Sequence, residues 1–468
     1  MPYKPQPEPK NAPYQADVRI TRLGEKIGDP VRAADFPKHI LRFRNHRWDK
    51  SVGLEGLNEE QWIEHFGFFK PLSNNLDPPL ALRYHGHQFR NYNPEIGDGR
   101  GFLFAQMRDH ENRLIDLGTK GTGTTPWSRT GDGRLTLKGA VREILATEML
   151  EALGVDTSKT FSVIETGEKL WRGDEPSPTR SAVMTRLNHS HIRFGTFQRI
   201  AFEQNEELMG RLTEYCLVQY YGGIKTGNPA AELFQHAVEK TARLAGAYMT
   251  AGFVHGVLNT DNMNITGESF DYGPWRFTPN WEPGFTAAYF DQEGLYSFAR
   301  QPEALHWNLA QLASALRLVS ESEPLVTALD SFPRKYGEAF TEHFCWRLGI
   351  CSEGFEIDKP LVVAAEKALS SKVVSIDQFF FDWGQSAAPM ESAYPQDVFA
   401  EFRDEMEKRT RTRDTGEDYW SATKPCSLHI EEVEAIWNAI AKDDDWAPLN
   451  AKISAIRLMG SALRSTSG

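Results

Sequence analysis

Three oxygen-bearing side chains, Asp261, Asn262 and Asp271, lie close together in the chain and form the group with the clearest chemical use. Carboxylate and carboxamide oxygens suit a hard divalent cation such as Mg²⁺ or Mn²⁺, and a carboxylate beside such an ion can take a proton from a hydroxyl. Taken singly, these residue types are more often turn or helix-cap residues. Their order within His255-Gly256-Val257-Leu258-Asn259-Thr260-Asp261-Asn262, followed by Asp271-Tyr272-Gly273, sets them apart. Upstream stand cations suited to phosphate. Arg100 lies in the turn Gly97-Asp98-Gly99-Arg100-Gly101, Lys120 ends an apolar-alternating run, and Arg186 and Arg193 flank Asn188-His189-Ser190-His191. Glycines such as Gly97 and Gly99 let a backbone turn tightly and approach a phosphate. Two unit charges about 4 Å apart, at an effective dielectric near 20, interact by about 4 kcal/mol. Four cations in one cleft therefore need a polyanion or carboxylates to offset them, and a triphosphate would do so.

A second pair belongs with this group. After Lys120 comes a helical run bearing Glu143, whose neighbours three and four residues away, Gly139, Ala140, Ala146 and Thr147, are small. A lysine can approach such a glutamate closely, as the strand lysine and helix glutamate of kinases do when they hold nucleotide phosphates. Kinases also place a metal-binding Asn at the end of H-R-D-x-x-x-x-N and a metal-binding Asp in D-F-G. Laying His255 on that histidine puts Asn262 and Asp271 on the metal ligands and Val257 on the catalytic aspartate. Valine accepts no proton, so Asp261 is the candidate base in its place. The plainer alternatives are a surface i,i+4 partner for Glu143 and surface ion pairs for the arginines.

The elements that must position these residues follow from periodicity. Strand-like runs occur at 81–84, 101–107, 113–120, 161–164 and 181–187, separated by turn residues. One helix, 137–153, interrupts them, with Val141, Ile144, Leu145 and Met149 at helical spacing and Gly154 as its stop. After about 195 the pattern turns helical, through 230–251, 303–348, 360–370, 396–410 and 430–442. The fold class expected is α+β, a protein-kinase-like bilobal fold. A strand-rich N-lobe spans 76–195, a helical C-lobe 196–350 and a helical C-terminal region 351–468. Residues 1–75 read as a Pro-rich arm followed by a helical extension carrying Trp48, Trp62, Phe66 and Phe68.

Composition narrows the partners. The 468 residues include 40% hydrophobic and 25% charged residues, those of an ordinary globular chain long enough for a large core. A formal net charge of -12 argues against nucleic acid as the main partner, although a nucleotide needs only a local basic pocket. The four cysteines make no metal-binding pattern and read as reduced thiols. The opening Met1-Pro2-Tyr3-Lys4-Pro5 has no apolar leader, and no run is long enough to span a bilayer. A cytoplasmic protein with no membrane partner is expected, or a mitochondrial one if the source is eukaryotic.

The combination resembles the selenoprotein O family of protein adenylyltransferases, which have a pseudokinase fold. The resemblance runs from about 84 to 310 and rests on Gly86-His87-Gln88-Phe89, the glycine turn at 97–101, Lys120-Gly121-Thr122-Gly123, Thr125-Pro126-Trp127-Ser128-Arg129, Gly131-Asp132-Gly133-Arg134, Arg142-Glu143, Thr185-Arg186-Leu187, Arg193-Phe194-Gly195 and the 255–263 and 271–274 stretches. It implies that Gly97, Gly99, Arg100, Lys120, Asp132, Gly133, Arg186, Arg193 and Asp271 hold ATP. It further implies that Asn262 and Asp271 bind Mg²⁺ or Mn²⁺, that Glu143 orients Lys120, and that Asp261 is the base. The implied activity is AMP transfer to Ser, Thr or Tyr hydroxyls of proteins. A phosphotransferase and a non-catalytic nucleotide-binding scaffold are the alternatives. Two departures stand out. His85 and Arg90 flank Gly86–Phe89 where Ser and Gly are usual, and the sequence ends Arg464-Ser465-Thr466-Ser467-Gly468 where many members carry a cysteine or selenocysteine.

Overall fold

A computed structural model of the chain describes residues 3, 6–173, 175–385 and 393–465. Its centre is an eight-stranded antiparallel sheet, in the order Gly28–Pro30, Leu80–Leu82, Leu103–Arg108, Leu114–Lys120, Thr179–Asn188, Lys159–Leu170 and Ile40–Arg44. The short strand Leu135–Thr136 also pairs with Thr179–Asn188. Successive side chains of a strand face opposite sides. Leu114, Val163, Ala182 and Met184 accordingly enter one core with the helix Leu137–Ala152, whereas Ile115, Ile164 and Val183 enter another with Trp48, Trp62, Phe66 and Phe161. Both faces are covered, so the central strands read as nearly unbroken apolar runs.

The extension differs from the helical expectation. It does contain the helix Glu59–Phe66, started by an Asn58/Gln61 capping box. It also supplies both ends of the sheet path, Gly28–Pro30 and Ile40–Arg44. Three residues ending in proline carry no readable period, and Ile40–Arg44 shares its surface with two arginines.

After Asn188 the described residues are mainly helical. Pro229–Ala251 is capped by Asn228, whose side chain accepts from Ala231 N–H at 3.1 Å, and ends on Gly252 at φ 64°. The expected run 303–348 is three helices, Gln301–Leu316, Ser322–Asp330 and Phe332–Leu348. Toward the end come Phe355–Leu369, Ile376–Trp383, Gln396–Met406, Ile430–Asp443 and Ala447–Arg464. The last packs on the Leu137–Ala152 helix: Arg457 pairs with buried Glu148 at 2.6 Å, and Gly460 lies against Ala152. The main core runs from Ile20 to Leu463, so both terminal regions pack into it. No helix among the described residues is long and apolar enough to cross a membrane.

Candidate active site

A cleft of about 350 Å³ opens beside the end of the Leu114–Lys120 strand, facing the segment from Val257 to Pro274. Lys120 is delivered by that strand and Glu143 by the helix beneath it. Thr136 starts the helix, accepting from Gly139 N–H at 3.1 Å. Lys120 Nζ donates to Glu143 Oε2 at 2.6 Å and lies 3.7 Å from Asp271 Oδ1. Burial lowers the Lys120 pKa, and the nearby Glu143 opposes that shift.

Two arginines converge on Asp271. Arg186, from strand Thr179–Asn188, donates to Oδ1 at 2.5 Å, and Arg193, at the start of helix Phe194–Phe202, donates to Oδ2 at 2.6 Å. Arg193 also donates to the Asp261 carbonyl at 2.8 Å and to Asp98 Oδ1 at 3.2 Å. Phe270 lies 5.1 Å and 4.7 Å from the two guanidiniums, and Tyr84 lies 4.5 Å from that of Arg193. These rings fix planar cations against their faces. Burial alone would raise the Asp271 pKa, but Arg186, Arg193 and Lys120 hold it well below the ordinary carboxylate range.

Asp261 sits in the one-turn helix Thr260–Asn262 with the opposite electrostatics. Burial pushes its pKa up to about 6, against the pull of Arg193. Its Oδ1 has no hydrogen-bond partner among the described residues. The hairpin of Gly86–Gln88 and Asn91–Asn93 is bolted over this turn: His87 N–H donates to Thr260 Oγ1 at 2.7 Å and Phe89 N–H to Asn259 Oδ1 at 3.0 Å. A Cβ at Gly86 would lie 2.7 Å from Asp261 Oδ1. Asn262 donates its amide to the Val257 carbonyl at 2.9 Å, which leaves its own oxygen for another partner. His255, whose ring bonds the Phe270 carbonyl at 3.0 Å, ties this loop to the segment that carries Asp271.

Gly97, Arg100, Lys120, Arg186, Arg193, Asp261, Asn262 and Asp271 all line the cleft, and Glu143 reaches it through Lys120. Gly99, Asp132 and Gly133 are not in the lining. Gly99 offers its carbonyl to Ser128. Asp132 is half-exposed and pairs with Arg172 at 2.8 Å. Gly133, at φ 67°, packs on the backbone of Gly123 beside the cleft. The structure adds Tyr84, Gln88, Asp98 and Arg129 to the lining. Gln88 and Arg129 stand inside motifs that carry the resemblance, so both had a local signal; Asp98, an aspartate within a glycine turn, had none of its own, and neither had Tyr84.

No group of three or more His, Cys, Asp or Glu among the described residues is arranged to hold a metal. Asp271 and Asn262 both line the cleft and offer oxygens of the kind that an ion such as Mg²⁺ takes together with phosphates and water.

Residues 11–457 match the family described as protein adenylyltransferase SelO. A protein nucleotidyltransferase YdiU of Synechocystis sp. is 42% identical, covering 94% of this chain and 97% of its own length. The protein of that name from Trichodesmium erythraeum is 41% identical over 92% and 95% of the two chains, and one from Pseudomonas putida 39% over 80% and 76%. The likeness thus extends well beyond the 84–310 stretch that carries the motifs.

Proposed function

The chain belongs to the family of the protein adenylyltransferase SelO, and from that premise we propose that it transfers AMP from ATP to Ser, Thr or Tyr hydroxyls of proteins, releasing pyrophosphate. One observation carries the reading. Buried Arg186 and Arg193 converge beside Lys120, while Val257 stands where a kinase keeps its base and Asp261 keeps an unpartnered oxygen. If the arginines grip the distal phosphates, the α-phosphate is left facing Asp261.

The step follows from those placements. The acceptor hydroxyl oxygen attacks the α-phosphorus, and its proton passes to Asp261. The bond from the α-phosphorus to the bridging oxygen breaks, and pyrophosphate leaves with the electron pair, held by Arg186 and Arg193. Lys120, oriented by Glu143, neutralises phosphate charge; Gly97, Gly99 and Arg100 shape the turn over the phosphates. Asp132 and Gly133 belong to the nucleotide site through the loop that folds back beside the cleft. Asp271 and Asn262 would hold Mg²⁺ or Mn²⁺, which supplies positive charge against the phosphate oxygens. The same reading takes the chain as protein-kinase-like, with lobes at 76–195 and 196–350. The sheet preceding the helices and the lysine–glutamate pair support it.

Incubation with ATP labelled on the α- or the γ-phosphate tests the proposal. Label retained from the α-position, with a protein heavier by one AMP, is expected. Transfer of the γ-label with ADP as by-product would make the chain a phosphotransferase, and nucleotide binding with neither label transferred would make it a scaffold.

A further inference from the structure

We infer that Asp98 is a positioning residue for the leaving pyrophosphate, acting through Arg193. The inference rests on the reading that Arg193 holds distal phosphates. Asp98 lies between Gly97 and Gly99, and its carboxylate is tied on both oxygens: Oδ2 accepts from Leu82 N–H at 3.1 Å and Oδ1 from Arg193 Nη2 at 3.2 Å. Its backbone is fixed as well. Asp98 N–H donates to the Leu82 carbonyl at 3.0 Å, and the Asp98 carbonyl accepts from Thr125 Oγ1 at 2.6 Å. The strand Leu80–Leu82 therefore holds the aspartate, and the aspartate holds one edge of the arginine.

The other amino group of Arg193 is differently placed. Nη1 donates to Asp271, the residue assigned to the metal, at 2.6 Å. When Asp271 turns to a cation, Nη1 loses that acceptor, and a phosphate oxygen takes its place. Asp98 has no such second duty. It stays on Nη2 through the exchange, and the Asp261 carbonyl stays on Nη1, so the guanidinium keeps its plane and turns the N–H that Asp271 releases toward the phosphate.

Only a carboxylate can do this at position 98. Leu82 N–H and Arg193 Nη2 are both donors, and a carboxylate accepts both with its two oxygens. A carboxamide has one acceptor oxygen and must present N–H to one of the two. Asp98→Asn thus frees either the turn or the arginine.

Calorimetric binding of ATP, pyrophosphate and AMP to the full chain, each with Mg²⁺, tests the inference. Asp98→Asn is expected to weaken ATP and pyrophosphate roughly tenfold, the scale of one charge-assisted hydrogen bond, and to leave AMP within about twofold. In the Arg193→Gln background, the same change is expected to cost pyrophosphate binding nothing further. Equal weakening of AMP, unchanged pyrophosphate binding, or tighter pyrophosphate binding would each overturn the inference. So would a full additional loss in the Arg193→Gln background. Asp98→Ser, which also offers a single acceptor, replaces Asp98→Asn if the latter does not fold. If Arg193→Gln alone leaves pyrophosphate binding intact, it is the function assigned to Arg193 that fails.

Discussion

Asp271, partly buried, and Asp261, buried, are carboxylates on one short segment, yet their surroundings drive them apart. Asp271 answers three cations and stays ionised; Asp261 has an unpartnered oxygen and a pKa of about 6. A raised acid is in its basic form only above that pKa, so kcat/KM for ATP should rise with pH through about 6 and then level. A profile flat from pH 5 to 8 would remove Asp261 as the base. The linked stability runs the other way, because a raised carboxyl favours the folded state least when ionised. Asp261→Asn should stabilise the fold by about 2–3 kcal/mol at pH 8 and by almost nothing near pH 4, read from urea unfolding. Asp271→Asn should abolish transfer even at saturating Mg²⁺ or Mn²⁺, whereas Asn262→Ala, losing a neutral ligand, should cost less. Without metal, Asp271→Asn should bind ATP roughly tenfold more tightly than the wild type, since the arginines lose an internal competitor for phosphate. Weaker metal-free binding would contradict that exchange. Gly86→Ala should lower kcat while sparing ATP affinity, because its Cβ meets Asp261 Oδ1 and not the nucleotide. At this scale the sequence was readable where a residue type has few uses: a buried strand lysine beside a helix glutamate names its partner. Asp98 was not, because an aspartate between glycines looks like any turn.

The elements that hold these residues were legible to the extent that their period was local. Leu114–Lys120 and Leu137–Ala152 follow from alternation, a cap and a glycine stop. Leu449, Ile453, Ile456, Met459 and Leu463 carry the same helical spacing, but no local signal names the surface they cover. That surface is the Glu143 helix. Arg457 donates to Glu148, which is almost fully buried and also lies 3.7 Å from Arg47. Removing one partner of a buried pair costs about 3–5 kcal/mol, and less here because Arg457 is partly exposed and Arg47 remains. Arg457→Ala should therefore lower the urea midpoint by the equivalent of about 2 kcal/mol with an unchanged m-value. An unchanged midpoint would show that the brace carries no load. Glu143→Ala, by contrast, should mainly raise the ATP requirement, and Lys120→Ala should cut transfer severely, because the lysine is the group proposed to meet phosphate.

Across the whole molecule, a chain of net charge -12 gathers buried Lys120, Arg186 and Arg193 at one cleft and pairs them with its own carboxylates, Glu143 and Asp271. The extension was the least legible part, since its strands Gly28–Pro30 and Ile40–Arg44 are defined by partners far along the chain. Leu41 lies opposite Ile164, a separation of 164 − 41 = 123 residues. Arg457 reaches Glu148 across 309 residues. On a ribosome adding about 5–20 residues per second, the edge strand waits roughly 6–25 s for its neighbour, and the Glu143 helix waits roughly 15–60 s for its brace. The lysine–glutamate pair, 23 residues apart, can meet long before Arg457 reaches the same helix. A nascent chain stalled before residue 457 would carry the full set of cleft residues without the Arg457 brace on the helix that bears Glu143.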